Sequence, residues 1–304
     1  MMPLPIHIAF VSLTKDVSTR SLLQVTAAIQ KQVTRDFAPI WGVTATIDAF
    51  GDLDSVPNDY LPIVVFGETG ELCDELVSLV GTEPAERLLD EFDTNSVAGV
   101  HLNALTRQPF ALVSATDAWT VLASHEALEM LCDPFGNRLV AAAHPTRPRQ
   151  RVKYLIEVCD PCCSRWYPVN GVPVSDFYTP RYFDPVRGPG VRYSYTGALD
   201  YPRQILENGY LTFLDPSDSQ LYQQRFGEDE PVVLAGLAEL ARSGLPLRTL
   251  VDSNPLTPRL NPRALRAAEA ADAADDPYRG VSEAARGAAL NTAEALYSIA
   301  RGIG

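Results

Sequence analysis

Residues 118–134, AWTVLASHEALEMLCDP, organise the reading of this chain. The stretch is predicted to be a helix from about Ala118 to Cys132. Asp133-Pro134 ends it, because the residue before a proline is pushed out of the helical region. On such a helix His125 and Glu129 stand four residues apart on one face, where both reach a single metal ion. Glu126 sits one step round, placed to take a proton from water on that ion.

Working back from this helix, strands and helices alternate. Ile6 to Ser12 reads as a buried strand, Leu22 to Phe37 as a helix with Leu23, Val25, Ala28, Ile29, Val33 and Phe37 available to a core, and Val43 to Phe50 as an alternating strand. Leu61 to Phe66 is a third, continuously apolar strand. Leu72 to Phe92 reads as helical but mostly polar. Ala98 to Asn103 and Pro109 to Ser114 are two more strands, with Thr116 or Asp117 expected as the cap of the motif helix. The expected class is therefore α/β or α+β, with a mixed sheet laid beside the motif helix.

Working forward, Arg138 to Lys153 carries five basic residues and reads as a solvated loop. Beyond Tyr154 the chain is rich in aromatics and prolines, as expected of extended segments packed over a core. Phe213 to Asp229 reads as an acidic, turn-prone run, and Pro231 to Ser243 as an amphipathic helix. The domain organisation read from these shifts is a metal-binding domain over 1–250, a proline- and alanine-rich linker over 251–276, and an amphipathic terminal helix or docking tail over 277–304.

The whole-chain totals narrow the function classes. A net charge of −13 over 304 residues disfavours nucleic acid and anionic membrane as partners. No apolar run approaches the roughly 18 residues that span a bilayer, and the N-terminus lacks the pattern of a secretory signal. The expected location is the cytoplasm, or a particle assembled there. Five cysteines, three of them crowded at Cys159, Cys162 and Cys163, do not make a secreted disulfide framework. They leave open a local disulfide, free thiols, or a structural zinc centre with Cys132 and His144.

The chemistry centres on oxygen and nitrogen donors. A catalytic zinc takes three protein ligands and keeps a position for water. His125, Glu129 and Glu157 are the expected ligands, with Asp133 and Asp160 as alternative ligands or as groups that orient them. Glu126 is the expected general base. The chain has four histidines, His7, His101, His125 and His144, so the helix is the H-E-x-x-H motif with a carboxylate in place of its second histidine. The oxygen-rich set makes Mn²⁺ or Ca²⁺ competitive with Zn²⁺. Tyr154, Tyr167 and Tyr178 are candidates for an oxyanion donor, set against the commoner role of tyrosine in a core.

The pair SHEALEMLCDP (124–134) and EVCDPC (157–162) resembles a pattern in zincin-like proteins, in which a H-E-x-x-E helix ending in Asp-Pro is followed by Glu-x-x-Asp-x-Cys. The pattern occurs in bacterial and phage-associated proteins and in plant Exordium-like proteins. The matched residues are His125, Glu126, Glu129, Asp133, Pro134, Glu157, Asp160 and Cys162, and the layout corresponds over about 1–215. The resemblance implies a zincin-like fold with a metallopeptidase-like site, and the expected function is a zinc metallopeptidase acting on a peptide or protein substrate. A second expectation, from a different class, is a non-catalytic cargo or structural protein that keeps this fold and docks through its C-terminal segment.

Overall fold

The computed structural model describes residues 5–94, 97–236, 238, 242, 246–252 and 257–258. The chain builds on a sheet of β1 (Ile6–Ser12), β2 (Ala45–Ala49), β3 (Tyr60–Phe66), β4 (Gly99–Asn103) and β5 (Pro109–Ser114), ordered β2-β1-β3-β5-β4. β1, β2, β3 and β5 are parallel, and β4 runs antiparallel to β5 at one edge. Parallel strands are covered on both faces, which is why β3 and β5 read as unbroken apolar runs. Their side chains alternate between two cores. Ile63, Val65, Ala111 and Val113 face the larger one, while Val64, Phe66, Phe110 and Leu112 face a smaller one.

The larger core is closed by α1 (Thr19–Lys31) and α5 (Trp119–Cys132). Ser18 caps α1 by accepting a hydrogen bond from the Ser21 amide at 3.1 Å. A π-helical stretch, Gln32–Phe37, carries α1 into α2 (Ala38–Trp41), and Gly42 at φ 69° ends the run. The smaller core is closed by α3 (Cys73–Val80) and α4 (Thr82–Asp93). The polar helix expected over Leu72 to Phe92 is thus two helices, broken at Gly81, whose φ of 88° suits a residue without Cβ.

After α5 the chain forms a second, antiparallel sheet in the order β12-β11-β10-β7-β6. The expected basic loop is a hairpin of β6 (Leu139–Ala143) and β7 (Arg151–Leu155). Arg151 and Lys153 are the outward positions of a strand whose inward positions are Val152 and Tyr154, so the charges are solvated as expected but ride on a strand. The expected acidic turn run holds two paired strands, β10 (Tyr210–Asp215) and β11 (Gln220–Arg225). The helix expected over Pro231 to Ser243 is replaced at its start by β12 (Val232–Gly236), because pairing with β11 outweighs local helical spacing. Between the sheets, β8 (Trp166–Val169) and β9 (Val172–Ser175) form a hairpin against α5.

α5 does not begin with the expected cap. Its N-cap is Ala118, which offers no side-chain bond, and the Trp119 amide reaches the Thr116 carbonyl at 3.1 Å. A last described helix, α6 (Leu247–Asp252), crosses the expected domain boundary at 250. The described residues fall within one compact unit, Met1–Leu265. The expected terminal helix over 277–304 lies outside the described residues, as does nearly all of the linker over 251–276. Among the described residues no helix is long and apolar enough to cross a membrane.

Candidate metal centre

Every residue of α5 except Thr120 is buried, so the helix is a central strut of the domain. Its polar residues therefore sit in the interior. Ser124 is absorbed by structure: its hydroxyl accepts the Ser175 amide at 2.6 Å and donates to the Val121 carbonyl at 3.0 Å. His125, Glu126 and Glu129 are not absorbed in this way. They point at a cluster of charged groups brought from β4, from the segment after β7, and from α6.

His125 Nε2 lies 3.5 Å from Glu129 Oε1 and 3.2 Å from Asp160 Oδ1. A tetrahedral ion with donors at about 2.0–2.1 Å sets those donors about 3.3 Å apart, so these edges fit zinc. The three atoms lie within 4.8 Å of one another. The Cys159 amide donates to Glu129 Oε1 at 3.2 Å, which orients that oxygen toward the group. Asp160 opens a 3-10 turn, Asp160–Cys162, and receives a hydrogen bond from the Tyr210 hydroxyl.

The other expected residues take different places. Glu157 stays buried nearby but is not in this triad, and its Oε1 is 4.0 Å from Arg248 Nη1. Asp133 builds the turn after α5, accepting the amides of Asn137 at 3.0 Å and Arg138 at 2.7 Å. Its carboxylate oxygens are thereby committed to backbone. Glu126 faces β4, where a Cβ on Gly99 would lie 2.9 Å from Glu126 Oε1. The bare glycine makes room for the proposed base.

Two residues come from outside the sequence motifs. His101, on edge strand β4, puts Nδ1 3.7 Å from Glu126 Oε2 and 3.9 Å from Glu129 Oε2, forming a second donor group that shares Glu129. Arg248, on α6, places Nη1 against Glu129 Oε2 and 3.8 Å from Asp160 Oδ2. Neither lies near the motif in sequence, and a lone histidine or arginine carries no signal of its own. The alternation of β4, which turns His101 inward between Val100 and Leu102, could have flagged the first.

Burial and charge set the protonation of the group. Burial alone would push His125 down, but Glu129, Asp160 and Glu126 around it hold it up at about 9. Burial pushes Glu126 up to about 8, against the pull of His125 and Arg248. It also raises Glu129 and Glu157, with Arg248 opposing in both. Asp160 is held below its usual range, since hydrogen bonding to His125 and the charge of Arg248 overcome burial. His101 is kept neutral by burial, Arg248 and His125, although the Asp133 backbone beside it favours the proton.

Satisfaction is incomplete. His125 Nδ1, Glu126 Oε2, Glu129 Oε2, both oxygens of Glu157 and Asp160 Oδ2 are buried without a hydrogen bond of normal geometry. Each such group costs about 1–3 kcal/mol if nothing compensates it. A cation among them is the economical compensation, and the donor chemistry fits one.

The cysteine alternative does not assemble. All five cysteines are free, and among the described residues none joins a group of metal-ligating side chains. Burial pushes the thiols of Cys132, Cys159, Cys162 and Cys163 up, which keeps them protonated. His144 is held by Arg147 and packs on Phe213. Of the tyrosines, Tyr154 donates to the Ala143 carbonyl at 2.7 Å and Tyr167 to Asp36 at 3.0 Å, so both serve structure. Tyr178 stacks on Tyr182 at 4.4 Å between ring centres.

Comparison with protein-family models, with curated proteins and with solved structures found no match to this chain.

Proposed function

We propose that this chain is a zincin-like, metal-dependent hydrolase of peptide bonds, in which His125, Glu129 and Asp160 hold zinc and Glu126 is the general base. One observation carries the reading: a nitrogen and two carboxylate oxygens converge at 3.2 and 3.5 Å in a buried, strongly acidic site. Zinc held by His125, Glu129 and Asp160 would supply Lewis acidity and lower the pKa of a bound water, less than a histidine-rich site would because two of the three ligands are anionic. Glu126 accepts a proton on its carboxylate and returns it to the leaving amine. In the metal-free site burial pushes it up to about 8, and a dication beside it would draw it back toward the carboxylate form in which it serves as base. A cleft of about 790 Å³ runs along Leu102 to Leu105 and is walled by Asp252, the residue that touches Arg248. His125, Glu126, Glu129 and Asp160 do not line it, so the cleft borders the site through Asp252 and Arg248 alone. A cytoplasmic site of action, or packaging in a particle assembled there, fits this reading.

The near-complete burial of the triad, with His125 2%, Glu129 0% and Asp160 5% exposed, favours a second reading. In it the ion is structural and the chain is a non-catalytic cargo or scaffold protein. Glu126→Gln separates the two. With zinc content and melting temperature held, the enzyme reading expects peptide turnover to fall by about 10²- to 10⁴-fold. Wild-type protein that takes up zinc yet cleaves no member of a broad peptide library refutes the hydrolase and leaves the structural ion.

A further inference from the structure

We propose that Arg248 is a positioning residue that selects the ion, by withholding one oxygen of each carboxylate in the triad. This rests on the metal reading above. Glu129 and Asp160 are each split between two neighbours. Glu129 turns Oε1 to His125 and Oε2 to Arg248 Nη1; Asp160 turns Oδ1 to His125 and Oδ2 to the same nitrogen, at 3.8 Å. A single guanidinium nitrogen thus stands behind both ligands, while Glu157 lies 4.0 Å from it on a third side.

The guanidinium is fixed from its own side as well. Arg248 is 5% exposed, and its Nε lies 3.4 Å from Asp252 Oδ2. Its backbone amide donates to the Gly136 carbonyl at 3.0 Å, and the Leu247 amide donates to Asn137 Oδ1 at 3.0 Å. Gly136 is required there: at φ 63° it tolerates the turn, and a Cβ on it would lie 2.7 Å from the Cβ of Arg248. The Asp133 turn that ends α5 is therefore also the dock that aims Arg248 at the ligands.

The consequence is chemical. A carboxylate with both oxygens free can chelate, fill more coordination places and favour larger, harder ions that take six or more oxygens. With Oε2 paired to the guanidinium and Oδ2 drawn toward it at 3.8 Å, each carboxylate turns one oxygen to the ion, and the donor count stays at the three a tetrahedral zinc site uses. The arginine charge also offsets the second carboxylate, which would otherwise make the site too anionic for zinc to keep its advantage.

The test is competition titration of metal-stripped, full-length protein with Zn²⁺ and with Mn²⁺ against a chromophoric chelator. The comparison runs across wild type, Arg248→Gln and Arg248→Lys, with circular dichroism to check folding. Arg248→Gln is expected to lower the Zn²⁺:Mn²⁺ affinity ratio by about tenfold or more, a typical effect of removing a group that orients a ligand. Arg248→Lys, which restores a cation at the carboxylates, should keep the ratio within about threefold of wild type. An unchanged ratio in a folded Arg248→Gln protein overturns the proposal while leaving the metal site standing. Wild type that binds no zinc overturns both. Should Arg248→Gln fail to fold, Gly136→Ala displaces the same side chain, and it must lower the ratio for the proposal to survive.

Discussion

Asp160 and Glu157 are three residues apart, both buried and both acidic, yet they should differ sharply when each is replaced by its amide. Asp160 Oδ1 stands 3.2 Å from His125 Nε2 inside the triad, whereas Glu157 reaches Arg248 at 4.0 Å and feels the charges of Asp160 and Glu129 without joining the triad. Structural zinc sites bind with about 10–16 kcal/mol, so one of three donors carries roughly 3–5 kcal/mol. Asp160→Asn should therefore weaken zinc by a hundredfold or more, since each 1.4 kcal/mol is about a factor of ten. Glu157→Gln acts one contact further out and should cost about tenfold, the lower end for a group behind the ligands. Both variants keep side-chain volume, so a cavity does not confuse the comparison. Zinc competition on metal-stripped protein, with melting temperatures recorded for each variant, measures the difference. Glu157→Gln weakening zinc as much as Asp160→Asn would refute the assignment and make Glu157 the third ligand.

The pH dependence of the metal-free protein follows from the same groups. Glu126 rises from 4.5 to about 8 and His125 from 6.5 to about 9, so both bind protons more tightly when folded and stabilise the fold most at lower pH. His101 has the opposite sign but acts only as pH falls below its ordinary 6.5. The melting temperature should fall between pH 6.5 and 9, and a rise across that window in differential scanning fluorimetry would contradict the protonation scheme. Gly99→Ala should fold normally but push the Glu126 carboxylate aside by about 0.6 Å, from the 2.9 Å contact toward an ordinary separation near 3.5 Å. A crystal structure of the variant with Glu126 unmoved would show that the glycine does not make that room. Ser124→Ala leaves the buried Ser175 amide without its acceptor and should cost about 1–3 kcal/mol in urea unfolding. A midpoint equal to wild type would mean that water replaces the hydroxyl.

The parts of the fold that were legible are those where local pattern and burial agree. β1, β3 and β5 are apolar runs because both faces of a parallel sheet are covered, and α5 ends at Asp133-Pro134 because of backbone sterics. The second sheet was harder to read. Lys153 and Arg151 read as a loop, and Val232 to Gly236 as a helix, because what makes them strands is pairing with other strands: β7 with β6 and with the distant β10, β12 with β11.

The same division runs through the site. The order of residues alone placed His125, Glu126 and Glu129 on one helix turn and named Asp160 and Glu157 as nearby acids, since helical spacing is a local property. It ranked Glu157 ahead of Asp160 as the third ligand, the reverse of their approach to His125, and it did not supply His101 and Arg248, which lie far from the helix motif in sequence. Those choices depend on which strand edge and which late helix pack against α5. Only the tertiary structure decides them, because the distance between side chains from separate elements is set by packing and not by spacing along the chain.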